Sequence, residues 1–280
     1  MKADLHCHSV YSDGSVSVPE LLRYAFIFGL DCIALTDHDT MDGVVQAVEY
    51  GEKYGVLVIP GAECSCFDKE RNRPVHILCY NPKDKASFEA EIAKTLRKRR
   101  KQKLAVIEKL SNIYPIALSD IAPYLKDSAC IYECHIIQAL ADMGYTNTVC
   151  GELMNSLLKK GGSCYVPTDY SDVREICKVI NECGGTAVIA HPEQYDSIEL
   201  TRELSQKNLI SGVEVYHPRN SENTRKKLLD IAGEYELLVT GGSDFHGRFT
   251  ENPHTLGFCT ADEESVLRLL SKAFLWEREV

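Results

Sequence analysis

The sequence predicts an α/β protein with a parallel sheet, closed or open, interrupted by a long helical insertion. Three observations predict it. Short apolar runs alternate with amphipathic segments at both ends of the chain. Residues 85–160 contain no strand pattern and carry a helical periodicity throughout. A chain of 280 residues with 44% hydrophobic content is long enough to bury one large core or two modest ones.

The elements follow in order. Ala3 to Leu5 is a short apolar run leading into a loop, and Pro19 to Phe28 reads as a helix with proline in its first turn. Asp31 to Leu35 reads as a buried strand, Met41 to Tyr54 as a helix, and Val56 to Pro60 as the next strand. A charged turn from Asp68 to Arg73 precedes a strand over Val75 to Cys79. The insertion returns near Gly161-Gly162, and the alternation resumes. Helices over Asp172 to Cys183, Glu199 to Lys207 and Ser221 to Tyr235 precede strands over Ala187 to Ala190, Val213 to Tyr216 and Leu237 to Thr240.

Composition narrows the function. The apolar runs, such as Cys32 to Leu35, are too short to span a bilayer, and the charged, His-bearing start lacks the apolar stretch of a secretory signal. The expected location is the cytoplasm, with no membrane association and no obligate protein partner. The twelve cysteines include no Cys-x-x-Cys pair and read as buried, reduced thiols. A net charge of −10 argues against a nucleic-acid platform over the whole surface, although bound metal ions can reverse the sign locally. The basic run from Leu96 to Lys103 reads as a solvated helix face, with nucleic-acid contact along it the lesser reading.

The chemistry is carried by titratable residues at strand ends. His6 and His8 follow the first strand, and residues two apart on an extended strand point to one side, so both imidazoles can face one metal. Asp13 follows at a Ser-Asp-Gly turn. Asp37, His38 and Asp39 close the next apolar run, and Glu63 stands just past another. His76 lies within a strand, where a lone histidine is usually a satisfied core residue. His191 follows the strand ending at Ala190, while Asp244 and His246 follow the last strand. If the sheet closes as a barrel, these ends converge on the face where barrel active sites are built. Imidazole and carboxylate donors without thiolate suit manganese, iron or zinc. His6, His8, Asp13, His38, Glu63, His76, His191, Asp244 and His246 are too many donors for one ion, which implies two or three. Three divalent cations among Asp13, Glu63 and Asp244 leave a pocket of about +3, suited to phosphate esters. Such a site also lowers the pKa of a bridging water, supplying hydroxide near neutral pH.

These motifs, in this order, resemble the polymerase and histidinol phosphatase (PHP) family of metal-dependent phosphoesterases. The matching elements are Asp-Leu-His-Cys-His-Ser with Asp13, Thr-Asp-His-Asp-Thr, Gly-Ala-Glu, the histidine of Val-His-Ile-Leu, Ala-His-Pro and Ser-Asp-Phe-His-Gly. The resemblance implies a distorted (β/α)7 TIM-like barrel with a trinuclear metal centre. The barrel would comprise residues 1–84 and 161–280, and a helical cap residues 85–160. One ion would be held by His6, His8, Glu63 and Asp244, a second by Glu63, His76 and His191, and a third by Asp13, His38 and His246. Asp13, His38, Glu63, His191 and Asp244 would act catalytically through hydroxide held by the metals.

Within the family, the stretches His135 to Tyr145 and Gly161 to Pro167 resemble small enzymes acting on nucleoside 3′,5′-bisphosphates and RNA ends. That branch commonly has arginine where this chain has Glu133 and Thr168, which makes a monophosphate or a differently held substrate plausible. His135, His217, Arg219 and Arg248 are candidate substrate contacts, and His217 is also the candidate acid for the leaving group. The leading expectation is hydrolysis of a phosphomonoester on a nucleotide or a short oligonucleotide end. The alternatives are a histidinol-phosphate phosphatase and a non-catalytic metal-binding accessory module.

Overall fold

A computed structural model describes residues 1–272. The chain opens with β1 (Ala3–Cys7), α1 (Val18–Ile27), β2 (Cys32–Leu35) and α2 (Val44–Tyr54), then β3 (Leu57–Asp68) and β4 (Arg73–Tyr80). The helices α3 (Lys85–Ser111), α4 (Leu118–Ile121), α5 (Glu133–Asp142) and α6 (Glu152–Leu158) follow without an intervening strand. The alternation resumes with α7 (Val173–Glu182), β5 (Thr186–Ile189), α8 (Ile198–Gln206), β6 (Gly212–Tyr216), α9 (Glu222–Glu234), β7 (Leu238–Gly241) and α10 (Glu263–Lys272). Helix starts obey local chemistry. Ser17 and Glu20 cap α1 reciprocally, Asp84 caps α3 through the Ser87 N–H at 3.0 Å, and Asp172 caps α7 through the Arg174 N–H at 2.9 Å.

The strands form one seven-stranded sheet in sequence order. Its ends meet where Cys7 pairs with Phe245 and the His8 N–H donates to the Phe245 carbonyl at 2.9 Å, so the sheet curls into a barrel. The expected parallel sheet holds except at β4. β3 and β4 form an antiparallel hairpin, and β4 also runs antiparallel to β5, while the remaining pairs are parallel. The connection from Lys69 to Asn72 is too short for a parallel crossover, which needs a dozen residues or more. The third strand also extends well past Pro60, so Glu63 sits mid-strand rather than beyond its end.

Among the described residues, three large apolar clusters hold these layers, beside a small one of Cys130, Tyr132 and Cys134. One face of the sheet packs against α1, α2, α7, α8 and α9 through residues such as Leu21, Val44, Ile176, Leu200 and Leu228. The other face buries Leu5, Ile59, Leu78, Val188 and Leu238 with Val266 and Leu269 of α10, which plugs one end of the barrel. A separate cluster of Val106, Leu110, Ile136, Leu140 and Leu157 joins α3, α5 and α6 over the other end. Among the described residues no helix is long and apolar enough to cross a membrane. Eleven of the twelve cysteines are buried, and none is paired in a disulfide.

Candidate metal centre

β1 delivers His6, and His8 follows one residue beyond its end; the loop to α1 brings Asp13 back toward them. Backbone space makes this approach feasible. A Cβ on Gly242 would collide with the Cβ of His6, and one on Gly14 would stand 2.6 Å from the His8 carbonyl oxygen, so both positions need glycine. Strain gathers at the same end of the barrel. Asp39, His191 and Asp244 adopt positive φ values of 56°, 29° and 51°, unusual for residues with side chains.

Glu63 lies at the centre, almost fully buried. Its Oε2 stands 3.2 Å from His6 Nε2, His8 Nε2 and His38 Nδ1, and its Oε1 stands 2.7 Å from His76 Nδ1 and 2.9 Å from His191 Nε2. Asp244 Oδ1 lies 3.2 Å from His8 Nε2, 3.5 Å from His6 Nε2 and 3.4 Å from His246 Nδ1. Asp13 Oδ1 lies 3.3 Å from His246 Nε2, and its Oδ2 3.7 Å from His38 Nε2. All nine residues singled out as metal ligands therefore meet in one cluster.

Among the described residues, four groups have donor atoms close enough to share an ion: His6, His8, Glu63 and Asp244; His8, Asp13, His38 and His246; His38, Glu63 and His76; and, beside these, His6, Glu214 and His217. The first matches the ligand set implied by resemblance, and the second adds His8 to the set of Asp13, His38 and His246. The third places His38 beside Glu63 and His76, where resemblance implies His191; His191 reaches the same carboxylate oxygen as His76. His6 Nε2, both nitrogens of His8, His38 Nδ1, His191 Nδ1 and Asp13 Oδ1 are buried without a hydrogen-bond partner. Orphaned buried donors of this kind demand an explanation, and divalent cations supply one for imidazole and carboxylate atoms converging together.

The electrostatics agree. Burial opposes the charged forms of Glu63, Asp13 and Asp244, yet the facing imidazoles hold all three carboxyls well below their usual range. Burial also opposes charge on His8, but Asp244 and Glu63 raise it to about 10; burial prevails at His38, which falls to about 3. Without cations, His6 and His8 thus carry protons against the carboxylates, a place that divalent ions take over on binding.

Supporting residues surround this cluster. Glu214, which the sequence analysis did not single out, accepts the His191 backbone N–H at 2.8 Å and meets His6 Nδ1 at 3.0 Å. A glutamate inside the apolar strand Gly-Val-Glu-Val-Tyr was a visible signal, since buried strands rarely carry an unpaired carboxylate. Asp37 accepts from the backbone and hydroxyl of Ser9 at 2.8 and 2.6 Å, organising the loop after His8. Asp39 pairs with Arg99 at 2.7 Å and accepts the Ser65 N–H at 2.8 Å. Tyr132 stacks on His38 with ring centroids 6.2 Å apart and donates its hydroxyl to the His38 carbonyl at 2.8 Å.

The candidate substrate contacts divide. His217 is buried beside the cluster, with Nε2 3.5 Å from Asp244 Oδ2 and Nδ1 accepting the Arg219 N–H at 3.1 Å. Burial lowers its pKa, so the ring is neutral with its proton on Nε2, which suits a hydrogen-bond donor better than a general acid. His135 is buried and accepts the Tyr132 N–H at 3.2 Å, capping α5; burial lowers it to about 4. Arg248 is exposed and reaches Gln138 of α5 at 3.3 Å. Arg219 is exposed on the turn after β6. The basic run on α3 departs from a solvated face: Arg99, Gln102 and Lys103 turn inward at helical spacing while Arg97, Arg100 and Lys101 face solvent.

A family model for the PHP domain matches residues 4–110. A phosphoribosyl 1,2-cyclic phosphate 1,2-diphosphodiesterase of Eggerthella lenta is 37% identical over 260 residues, covering 92% of this chain and 98% of that protein. A 5′-3′ exoribonuclease of Haemophilus influenzae is 30% identical over 257 residues, covering 88% of this chain and 90% of the other. A crystal structure from Bifidobacterium adolescentis, described as a metal-dependent phosphoesterase, superposes with a TM-score of 0.89 at 29% identity, covering 97% of this chain and 96% of that one.

Proposed function

The chain belongs to the PHP-domain family of metal-dependent phosphoesterases, and from that premise we propose that it hydrolyses a phosphoester carried on a ribose. The ribose would belong to a nucleotide, a short oligonucleotide end or a phosphoribosyl compound. The observation that carries this reading is the gathering of His6, His8, Asp13, His38, Glu63, His76, His191, Asp244 and His246 at one end of the barrel, with several of their donor atoms lacking a hydrogen bond. Substrate class is supported by the relatives, one acting on a phosphoribosyl cyclic phosphate and one on RNA.

When bound, divalent cations would supply a water of lowered pKa and offset charge on the phosphoryl oxygens. The chain's own residues do the rest. Glu63, held by five imidazoles, would bridge two cation positions, with His6, His8 and Asp244 on one side and His76 and His191 on the other. Asp13, His38 and His246 would hold a third position. Neutral His217 would donate through Nε2 to a substrate oxygen. In the reaction, water adds its oxygen to phosphorus, the P–O bond to the ribose breaks, and the leaving oxygen takes the remaining proton.

A second reading, cleavage of a cyclic phosphodiester rather than a monoester, is favoured by one observation. The relative at 37% identity acts on a phosphoribosyl cyclic phosphate. Purified protein with manganese, given nucleoside bisphosphates, nucleoside monophosphates, short RNA, phosphoribosyl cyclic phosphate and ribose-free esters such as glycerol phosphate, tests both. Hydrolysis of ribose-borne esters is expected, read as phosphate release from monoesters and as ring opening to a monoester for the cyclic phosphate. Turnover confined to esters without ribose would overturn the substrate class.

A further inference from the structure

Tyr195 stands at the rim of the cluster. Its ring meets those of His76 and His191 edge-on, with centroids 5.1 and 5.5 Å apart, and these are the two imidazoles on Glu63 Oε1. The turn that carries it is pinned. The Gln194 N–H donates to the His191 carbonyl at 3.0 Å, the Ser197 N–H donates to the Pro192 carbonyl at 2.8 Å, and Arg73 pairs with Asp196, whose φ is 50°. Tyr195 is therefore held against two candidate ligands by its own backbone turn.

Its hydroxyl has donor capacity to spare. Burial and the carboxylates of Glu63 and Asp244 raise its pKa, so the phenol keeps its proton at neutral pH while lying in the field of both. The Gln194 carboxamide lies against the phenol oxygen on the side of a donor, and among the described residues the O–H itself reaches no acceptor. Gln194 Oε1, on the same carboxamide, is buried with no hydrogen-bond partner. A free donor and a free acceptor thus sit together where buried polar groups are normally paired. The combination is selective. A phosphoryl oxygen accepts from Tyr195 but is repelled by the carboxamide oxygen, whereas a hydroxyl accepts from one and donates to the other.

We propose that Tyr195 and Gln194 read a ribose hydroxyl on the carbon next to the scissile ester, which accepts the Tyr195 O–H and donates to Gln194 Oε1. This rests on the phosphoesterase reading above and deepens it, because the vicinal hydroxyl becomes the feature by which the sugar is chosen. On a nucleoside 3′-ester that hydroxyl is the 2′-OH, the group by which a protein tells RNA from DNA. A 2′-deoxy analogue leaves both polar groups unpaired in the complex, and discrimination follows from that loss. Tyr195 governs which ester binds rather than the phosphoryl transfer itself.

The test compares esters differing only in this hydroxyl: adenosine 3′-monophosphate against 2′-deoxyadenosine 3′-monophosphate, and a short RNA against its 2′-deoxy counterpart. The manganese-loaded enzyme should prefer the ribose member about tenfold or more in kcat/KM. Tyr195→Phe keeps the ring on His76 and His191 and removes only the oxygen. It should cut the preference about tenfold, by slowing the ribose member far more than the deoxy one. Gln194→Leu should act in the same direction, with manganese content matching wild type in both variants. No wild-type preference, equal losses on both sugars, or loss of manganese from Tyr195→Phe would overturn the contact. Calorimetric binding of the same ligands to manganese-loaded protein separates the two proposals. Binding that favours the ribose ligand in wild type but not in Tyr195→Phe, with no ester hydrolysed, would support the contact while overturning the phosphoesterase reading. Equal binding of both sugars to wild type would overturn the contact.

Discussion

Glu214 joins two candidate ligands through its two oxygens, facing His6 Nδ1 at 3.0 Å with one and accepting the backbone N–H of His191 at 2.8 Å with the other. The carboxylate sets the orientation of the His6 ring, so that Nε2 faces Glu63 and Asp244. Glu214→Gln would present an amide N–H₂ to one of two donors. We expect manganese affinity and turnover to fall about 10- to 100-fold, measured by metal content after gel filtration and by activity against manganese concentration. Unchanged metal affinity would sink this assignment.

Cation binding should be proton-linked. His8, raised to about 10, holds its proton at neutral pH, and a cation must displace it. Apparent manganese affinity should therefore rise with pH from 6 to 9, and uptake should release protons in calorimetry across buffers of different ionisation enthalpy. The loaded protein should also melt higher than protein in chelator, by about 2.7 kcal/mol of stability at a free cation concentration of 100 times Kd. A melting curve indifferent to chelator would count against the centre.

The ion pairs of Glu133 with Lys103 and Lys159, at 3.2 and 2.6 Å, give a second pH signature. Burial opposes its charge, but Lys103 and Lys159 hold the carboxyl at about 2, below its ordinary 4.5. A depressed carboxyl contributes stability in full above its unfolded value, and that contribution is lost as pH falls from about 4.5 through about 2. The upper bound is on the order of 3 kcal/mol. Glu133→Gln should lose less stability than wild type between pH 5 and 2.5 in denaturant titrations; parallel acid profiles would refute the pairing.

Arg99 and Asp39 form a buried ion pair at 2.7 Å that ties α3 to the strand end bearing His38. Arg99→Met strands the Asp39 carboxylate and should cost about 3–5 kcal/mol. Adding Asp39→Asn removes the stranded charge and should restore part of the loss. Denaturant midpoints for the two single variants and the double variant decide it.

The candidate ligands were legible because imidazoles and carboxylates interrupt apolar runs where a loop residue of any polarity would have served. His76 was the exception; on its own a strand histidine looks like core, and only the company of Glu63, invisible in one dimension, brings it into the cluster. The antiparallel β3–β4 hairpin was less legible, since alternating burial carries no strand direction, although the short turn from Lys69 to Asn72 does. Arg99 and Lys103 escaped because the solvated partners beside them dominate the local charge pattern. Their spacing of four placed them on one helical face, but nothing in the sequence showed which face turned inward. Glu214 stood out as a lone carboxylate in an apolar strand, but its partners His6 and His191 lie beyond that strand and could not be read from it.

The ligand cluster draws on the first strand and on the loop after the last, and His8 is fastened to Phe245 by the backbone. A chain emerging from the ribosome therefore has no finished cage until nearly all of it has been synthesised. A fragment ending before residue 244 would lack both Asp244 and His246, and with them part of two of the ion-sharing groups.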